Sequence, residues 1–459
     1  MMMRNTICWA VLIVSGLLSP AERAHGQNAG TGPDQGAYYT LDKCIQIALE
    51  NNPQIEIARK QVEVRQAAVL GSYTGVMPQL NANLVNANRT TSGDTPIIVE
   101  GVELQIAEGS TRTNYGNNVF LRMNLYDGGR NWNTIRRERQ LVDNGILDQV
   151  DTENQVTVDV KTRYYNLLRA LRLKEVTEEQ VRLNEEQLRR TQSMYEIGSV
   201  ARVDVLQTKA QLGGVRINLH NQENAVLQAR AELANVMGIG SSEVFQIADP
   251  LEGGSLDTTA PMGLQDALRL ADLTNPAIQR DEGGIRSALL GTKMARGGLW
   301  PTVSGSIGYS RSGVRFQDVY GTFDKNWRLS FNLNLSMPIL NGTQTYAEIS
   351  QAQTQQLIAE ETLRQTRRAT SLTIRRALLN LDTAREVISL SNDNIVAAEE
   401  SLRLAEERYR VGSGTLLDVF TAQEALARAK SDLAGAQYDY LIAQATLDGA
   451  LGKSMQPGR

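Results

Sequence analysis

The sequence predicts a mainly helical protein that also carries membrane-facing β-strands, with its elements arranged as a tandem repeat. Three observations support this fold class: a duplicated set of residues, two long stretches of helical heptads, and four short segments of alternating apolar and polar residues. Each repeat is expected to hold one long antiparallel coiled-coil hairpin and two strands.

The duplication appears as residues that recur at a fixed separation. Several residues of the first copy return 214 positions later, among them Tyr195, Gly198 and Asp204 as Tyr409, Gly412 and Asp418. Both halves must therefore build the same object. We expect a first repeat at 27–262 and a second at 263–459.

The N-terminus has the features of a secretory signal peptide. Arg4 precedes an apolar run, Ile7–Leu18, and small residues follow at Ala24 and Gly26. A helix of that run would span roughly 18 Å, short of the ~30 Å hydrocarbon core, so a retained anchor is the weaker interpretation. Cys8 lacks a lipobox before it, which argues against a lipoprotein. Residues 1–26 are predicted to be cleaved.

Composition narrows the function classes. Lys and Arg are spread evenly and the formal charge is −4, which argues against a nucleic-acid surface. Beyond the signal peptide the chain keeps one cysteine, Cys44, and one histidine, His220. These leave little material for a zinc site or for histidine catalysis. We expect no metal, no cofactor and no enzymatic activity.

Two helical hairpins follow from the heptad patterns. The segment Gln344–Val411 holds no proline or glycine and repeats apolar residues every seven positions. A turn at Gly412 separates it from a return arm that ends near Gly452. The first copy runs from Arg130 to Ile197 and turns at Gly198. The predicted hairpins are 130–238 and 343–452.

The return arms are about thirty residues shorter than the outbound arms, so each needs a second helix stacked on its end. We expect Pro276–Arg296 to continue the first return arm and Pro53–Leu70 to continue the second. The fold would then be pseudo-cyclic.

Four segments alternate with period two, at about 78–89, 117–126, 301–311 and 327–337. Their length and their single apolar face match transmembrane strands, although a soluble one-sided sheet is an alternative. The loops after Arg89 and Arg311 would be extracellular. Four strands cannot close a barrel, and an open edge in lipid is costly, so the chain should oligomerise through the sheet. This argument alone does not fix the number of subunits.

Three motifs resemble the TolC family of outer-membrane efflux proteins: Leu125–Gly129, Met337–Gly342 and Tyr409–Val419. The resemblance extends from about Leu41 to Gly452. It implies a homotrimer with a 12-stranded β-barrel in the outer membrane, continued by an α-helical barrel through the periplasm, with an equatorial segment at 239–262. It also implies an exit duct for a tripartite efflux pump or type I secretion system. Such a duct docks to a periplasmic adaptor (membrane-fusion) protein and to an inner-membrane pump or ABC exporter.

The resemblance places the gate at the hairpin tips. Asp418 matches the family position for a pore-ringing acid, and Asp204 is its counterpart in the first repeat. Alternatively, each aspartate simply suits the positive start of its return helix. We hypothesise that Arg202 pairs with Asp418 of a neighbouring hairpin, although an exposed-face arginine is an alternative.

The remaining members of the candidate gate are Tyr195, Tyr409, Gly198 and Gly412. The second tip departs from the family pattern, because Gly414 stands where a basic residue is expected and Thr421 stands where a second acid is expected.

Two other classes compete with the channel. A periplasmic coiled-coil adaptor or structural protein without a pore would have hairpins, but it would not separate two of them by membrane-length strands. An enzyme would need a cluster of titratable groups in a pocket, and the sequence offers none. The sequence does not indicate the cargo.

Overall fold

The structure is a computed structural model that describes residues 38–91, 95–99, 102–107, 111–240, 245–251, 262–321 and 324–453. The predicted signal peptide and the residues after 453 lie outside this part of the chain. None of the helices in the described part is both long enough and apolar enough to cross a membrane.

The described part of the chain contains nine α-helices, a short 3-10 helix at Tyr73–Gly75 and eight strands. The helices are α1 Leu41–Asn51, α2 Pro53–Ser72, α3 Arg130–Glu196, α4 Arg202–Met237, α5 Leu264–Thr274, α6 Pro276–Gly297, α7 Phe316–Tyr320, α8 Gln344–Arg410 and α9 Leu416–Ala450. The strands are β1 Tyr38–Tyr39, β2 Gln79–Thr91, β3 Thr95–Val99, β4 Val102–Ala107, β5 Thr111–Tyr126, β6 Gln246–Ile247, β7 Thr302–Gly313 and β8 Trp327–Ser336.

The main sheet has four antiparallel strands in the order β2, β5, β7, β8. Its register pairs Leu121 with Leu80 on one side and with Ile307 on the other, and Ile307 with Phe331. Directly opposed residues share a face. The apolar positions of all four strands therefore lie on one face of the sheet, and asparagines and serines line the other.

Three strands extend beyond their alternating segments: β2 and β7 each end two residues later, and β5 begins earlier. β5 begins at Thr111, six residues before the expected start, and its extra residues pair with the end of β2. Backbone pairing needs no apolar alternation, which is why the pattern does not mark this part. Beyond β2, β3 and β4 form a separate antiparallel hairpin.

The β7–β8 loop is folded against the sheet. Val319 of α7 is fully buried, and the Tyr320 hydroxyl donates to the carbonyl oxygen of Leu84. Leu84 lies at a bulge in β2, where the strand pairing is interrupted. The Tyr320 hydroxyl thus satisfies a backbone carbonyl at the point where the β2–β5 hydrogen bonding is irregular.

The long helices α3 and α8 have 67 residues each, which corresponds to about 100 Å. α3 packs against α4, and α8 packs against α9. In the second hairpin, Leu402, Val419, Ala422 and Leu426 form a buried cluster near the tip. The alternation of large and small side chains at this seam brings the two helices close together.

The predicted stacking of the short helices is wrong. The side-chain amide of Asn52, at the start of α2, donates to Val236 O at the end of α4 (2.8 Å). The amide of Asn275, at the start of α6, donates to Ala450 O at the end of α9 (2.9 Å). α2 therefore continues α4, and α6 continues α9, so each repeat is closed within itself and the fold is not pseudo-cyclic.

The physical reason lies in the matching joints of the two repeats. Asn52 and Asn275 each precede a proline and accept a backbone N–H of the helix that they start, from Gln54 and Ile278 respectively. Their side-chain amides remain available for the helix end below. The prediction paired each return arm with the helix that follows it in the chain. It was wrong because it took no account of the asparagine joint, which binds each return arm to a helix that precedes it.

The joints lie beside a small equatorial sheet. β1 and β6 pair in parallel, so the start of the described chain lies next to the segment after α4. Asp249, which follows β6, accepts hydrogen bonds from Tyr438 on α9 (2.8 Å) and Arg172 on α3 (3.2 Å). Asp249, in the described part of the predicted equatorial segment (245–251), thus connects the two hairpins, and the rest of that segment lies mostly outside the described residues.

Candidate functional site at the hairpin tips

The two tips are turns of the same construction. Gly198 and Gly412 adopt φ angles of +79° and +77°, a region that glycine enters at little cost. The amide of Gly198 donates to Tyr195 O (2.9 Å), and the amide of Gly412 donates to Tyr409 O (3.1 Å). The recurrence of sequence therefore reflects a recurrence of local geometry.

Both predicted acidic residues cap the helix that follows their turn. Asp204 accepts the backbone N–H of Ala201 (3.1 Å), and Asp418 accepts the backbone N–H of Thr415 (2.9 Å). Both carboxylates lie in the first turn of a return helix, where the helix dipole favours negative charge. Capping is thus one role of each aspartate within a single subunit.

The second cap is more complete than the first. The Thr415 hydroxyl accepts the backbone N–H of Asp418 (3.2 Å), whereas Ala201 has no hydroxyl to do the same for Asp204. The hydrogen bonds from the Thr415 backbone and hydroxyl hold the pKa of Asp418 below its usual range. Asp418 is therefore ionised at neutral pH.

The two tip tyrosines have different surroundings. Tyr409 packs against the buried cluster of the second tip and lies beside Thr191 and Asp204 of the first hairpin. Burial raises the pKa of Tyr409, the nearby Asp204 adds to this effect, and the Thr191 hydroxyl opposes it. Its counterpart Tyr195 is 45% exposed. One tyrosine thus joins the two tips of a subunit, and the other faces outward.

Arg202 is exposed at the start of α4, and within the described residues of one subunit it forms no ion pair. Its pairing with Asp418 of a neighbouring hairpin stays a prediction.

The sequence reasoning missed a polar seam in the first hairpin. Three buried residues on α3, seven positions apart, occupy the places of Ser391, Ala398 and Ala405 in the second copy: Thr177, Asn184 and Thr191. Each donates to a carbonyl oxygen four residues earlier in α3. Their heptad spacing was the available signal. The first hairpin closes on a more polar seam than the second.

The hairpins also meet each other through polar contacts above the tips. Gln211 on α4 donates to Glu424 on α9 (3.1 Å), and Arg169 on α3 pairs with Asp439 on α9 (2.9 Å). Contacts of this kind exchange readily with water, so the hairpins can separate at modest cost.

Comparisons with known proteins agree with this architecture. TolC of Escherichia coli K12 is 28% identical over 318 residues, 67% of this chain and 64% of TolC, so the match spans less than two thirds of that relative. The alkaline protease secretion protein AprF of Pseudomonas aeruginosa is 26% identical over 432 residues, 87% of this chain and 82% of AprF. The crystal structure of the outer membrane channel CmeC of Campylobacter jejuni superposes with a TM-score of 0.77, at 16% identity, over 90% of this chain and 86% of CmeC. At that identity the superposition shows the shared fold.

The family profile covers both repeats. The profile described as outer membrane efflux protein matches residues 44–239 and 267–453, which is most of the chain. The chain therefore belongs to the outer membrane efflux protein family.

Proposed function

We propose that the chain is one subunit of an outer-membrane exit duct, a passive channel for a tripartite efflux pump or a type I secretion system. The observation that carries this proposal is the register of the main sheet, which gathers the apolar residues of four strands on one face. Such a face fits lipid, and the polar face fits a water-filled lumen. Two hairpins of about 100 Å extend the same chain away from the membrane.

The sheet supports closure by copies of the same chain. β2 and β8 are its edge strands. An unpaired edge in hydrocarbon costs several kcal/mol for each free backbone group, so β8 of one copy pairs with β2 of the next. Three copies give the 12-stranded barrel of the family.

The helices support the same arrangement. α3 lies between the α2/α4 stack and the α6/α9 stack, and α8 packs on the other side of α6/α9. Within one subunit this leaves outer faces of α8 and of α2/α4 uncovered. Large apolar residues are exposed there, such as Leu379 and Leu390 on α8 and Ile57 and Leu227 on the α2/α4 stack. Joining α8 to α2/α4 of a neighbour buries them and completes a periplasmic helical barrel.

The tips form the gate in this proposal. Three copies of Asp204 and Asp418 ring the periplasmic entrance, and such carboxylate rings favour cations. Gly198 and Gly412 set the turns, Tyr195 and Tyr409 lie between neighbouring tips, and Arg202 pairs with Asp418 of the next hairpin. If Arg202→Ala leaves channel conductance and antibiotic uptake unchanged, the Arg202 pairing is excluded.

The tips also supply the docking surface for the periplasmic adaptor. Ile197, Val411 and Leu417 are 79%, 66% and 71% exposed at the tips, and apolar groups so exposed favour a protein partner. The adaptor connects the duct to an inner-membrane pump or ABC exporter, and the duct lies in the outer membrane and extends into the periplasm. A periplasmic adaptor or structural role without a pore is the alternative.

Reconstitution tests the proposal. The purified protein should fractionate with outer membranes, migrate as a trimer and form pores in planar bilayers. A soluble monomer without conductance would instead support the alternative. Cysteines placed at Ser199 and Ser413 should capture the adaptor by crosslinking in cells.

A further inference from the structure

The charges of the main sheet are all of one sign. β2, β5, β7 and β8 contain five arginines and no lysine, aspartate or glutamate: Arg89, Arg112, Arg122, Arg311 and Arg328. The whole chain has a formal charge of −4, so everything outside these strands carries −9. The sheet is a positive segment in a negative protein.

The strand register sorts these arginines between the two faces. Arg122 lies opposite Gln79 and Ser306, Arg328 opposite Ser310, and Arg112 opposite Thr90. All three are therefore on the polar face. Arg89, opposite Thr113, is on the other face. Arg311 is also on that other face and is 2% exposed.

The three polar-face arginines are not neutralised locally. All are exposed, and none forms an ion pair with another described residue. Arg122 lies over the ring of Phe120, 5.9 Å from its centre, which orients the guanidinium without cancelling its charge. Helical arginines differ: Arg403, for example, is paired with Glu400 (2.7 Å). The field of the polar-face arginines is thus available to a solute.

The three arginines lie at separate heights along the strands. Arg122 and Arg112 are ten residues apart on β5, about 33 Å. Arg328 is opposite Ser310, which is opposite Asn118, so it lies about 13 Å from Arg122 along the sheet. These spacings exceed the Debye length of about 8 Å at physiological ionic strength. Each arginine therefore acts as a separate positive level along the strands.

We propose that the lumen of the strand region binds and selects anionic cargo through Arg112, Arg122 and Arg328. This inference rests on the proposed function, because closure by three copies turns the polar face into a lumen with nine guanidinium groups. Carboxylate, sulfate and phosphate groups are the matching chemistry, since the guanidinium fork binds them in bidentate fashion. Neighbouring asparagines and serines add neutral hydrogen-bond donors. A solute that passes through the duct would then meet the acidic tips at the periplasmic entrance first and the arginines of the strand region afterwards.

Planar bilayers test the proposal through ion selectivity. The Arg112→Gln, Arg122→Gln, Arg328→Gln triple variant should lower the chloride-to-potassium permeability ratio at least threefold, measured as a reversal potential in a tenfold KCl gradient. Arg89→Gln removes a sheet arginine from the lipid-facing side and should leave the ratio unchanged. The triple lysine variant keeps the charge and should retain selectivity.

A multivalent anion tests binding directly. Tripolyphosphate added from the strand side should half-block the wild-type channel at a concentration at least tenfold lower than the concentration that half-blocks the triple glutamine variant. Single Arg122→Gln gives a smaller shift and serves if the triple variant fails to assemble. If the variants form pores with the same ion selectivity and the same tripolyphosphate block as the wild type, the proposal of an anion-binding lumen is overturned and the proposed exit duct is unaffected. Absence of any wild-type pore would overturn both.

Discussion

The two tips contain a matched comparison at a single side chain. Thr415 caps α9 with its hydroxyl, and Ala201 at the same place in the first repeat cannot. Thr415→Ala should destabilise the start of α9 by about 1 kcal/mol, and Ala201→Thr should stabilise the start of α4 by a similar amount. Hydrogen exchange of the amides of Asp418 and Asp204 measures each effect locally. Equal changes in both tips for either variant would contradict a local cap.

Any gating that depends on the charge of Asp418 should be insensitive to pH near neutrality, because this carboxylate stays ionised there. Its pKa is held below its usual range, so the folded carboxylate binds a proton less readily than the unfolded one. The stability that its charge contributes is present above the unfolded pKa of about 3.9 and is lost as the pH falls through the lower folded value. Conductance should therefore show no Asp418-dependent transition between pH 5 and pH 8, whereas Asp418→Asn should change ion selectivity throughout that range. A wild-type transition near pH 6 that disappears in Asp418→Asn would contradict this assignment.

At the scale of elements, the stacked joints depend on one asparagine each. Asn52 uses its oxygen to cap α2 and its amide to hold the end of α4. Asn52→Asp keeps the cap but places a carboxylate against the Val236 carbonyl, so it should cost about 1–3 kcal/mol. Asn275→Asp is the equivalent change in the second repeat. The thermal midpoint of the helical signal should fall for both. Gln54→Glu makes the same amide-to-carboxylate change at an exposed position next to the joint and is the control.

The elements differ in how far the sequence predicts them. The long helices follow from heptads that end at Gly198 and Gly412, because those patterns are local and each is long. The apolar faces of the strands follow from period-two alternation. The start of β5 at Thr111 and the stacking of α2 on α4 could not be predicted, because backbone pairing and a side-chain bond to a distant carbonyl leave no local periodicity. At the tips, the duplicated pattern places Asp204 and Asp418 after the glycine turns, and the structure shows both of them capping a return helix. The polar seam of the first hairpin was missed although its residues repeat every seven positions, because polar residues at that spacing are also typical of an exposed helix face.

At the scale of the whole molecule, a charged network connects four helices at one height along the bundle. Arg280 on α6 contacts Asp148 on α3 (3.2 Å) and its neighbour Asp281 (2.9 Å). Arg65 on α2 binds the other oxygen of Asp148 (3.1 Å), and Thr366 on α8 donates to Asp281 (2.6 Å). The network therefore ties α2, α3, α6 and α8 together between the joints and the membrane.

Removing the central cation tests this network. Arg280→Gln leaves Asp148, Asp281 and nearby Asp151 with too little positive charge, and it should cost about 2 kcal/mol because these groups are only partly exposed. Burial already raises the pKa of Asp151. The Arg280 charge opposes this rise, so its removal should raise the folded pKa of Asp151 further. A raised folded pKa means that stability is lost as the pH rises, so the variant should lose more than the wild type, and the defect should be larger at pH 7 than at pH 5. Thermal melting at both values measures it.

The control for that experiment lies on the same helix. Arg286 is exposed and, among the described residues, bonds only to the neutral Gln140 (3.2 Å), so Arg286→Gln should cost less than about 0.5 kcal/mol and show no pH dependence. If the two variants melt alike, the network does not tie the helices together.

Quasi-equivalence of the repeats makes a specific prediction about the assembly. Tyr409 lies beside Thr191 within one subunit, and the positions equivalent to these two are Tyr195 and Ala405. If six hairpins alternate around a ring, the exposed Tyr195 of one subunit must lie beside Ala405 of the next. In a Cys44→Ser background, the Tyr195→Cys, Ala405→Cys pair should form disulfides between subunits and yield a covalent trimer on a non-reducing gel. The Thr191→Cys, Tyr409→Cys pair should crosslink within the subunit and stay a monomer. A covalent monomer from the first pair would mean that the ring is not built from equivalent hairpins.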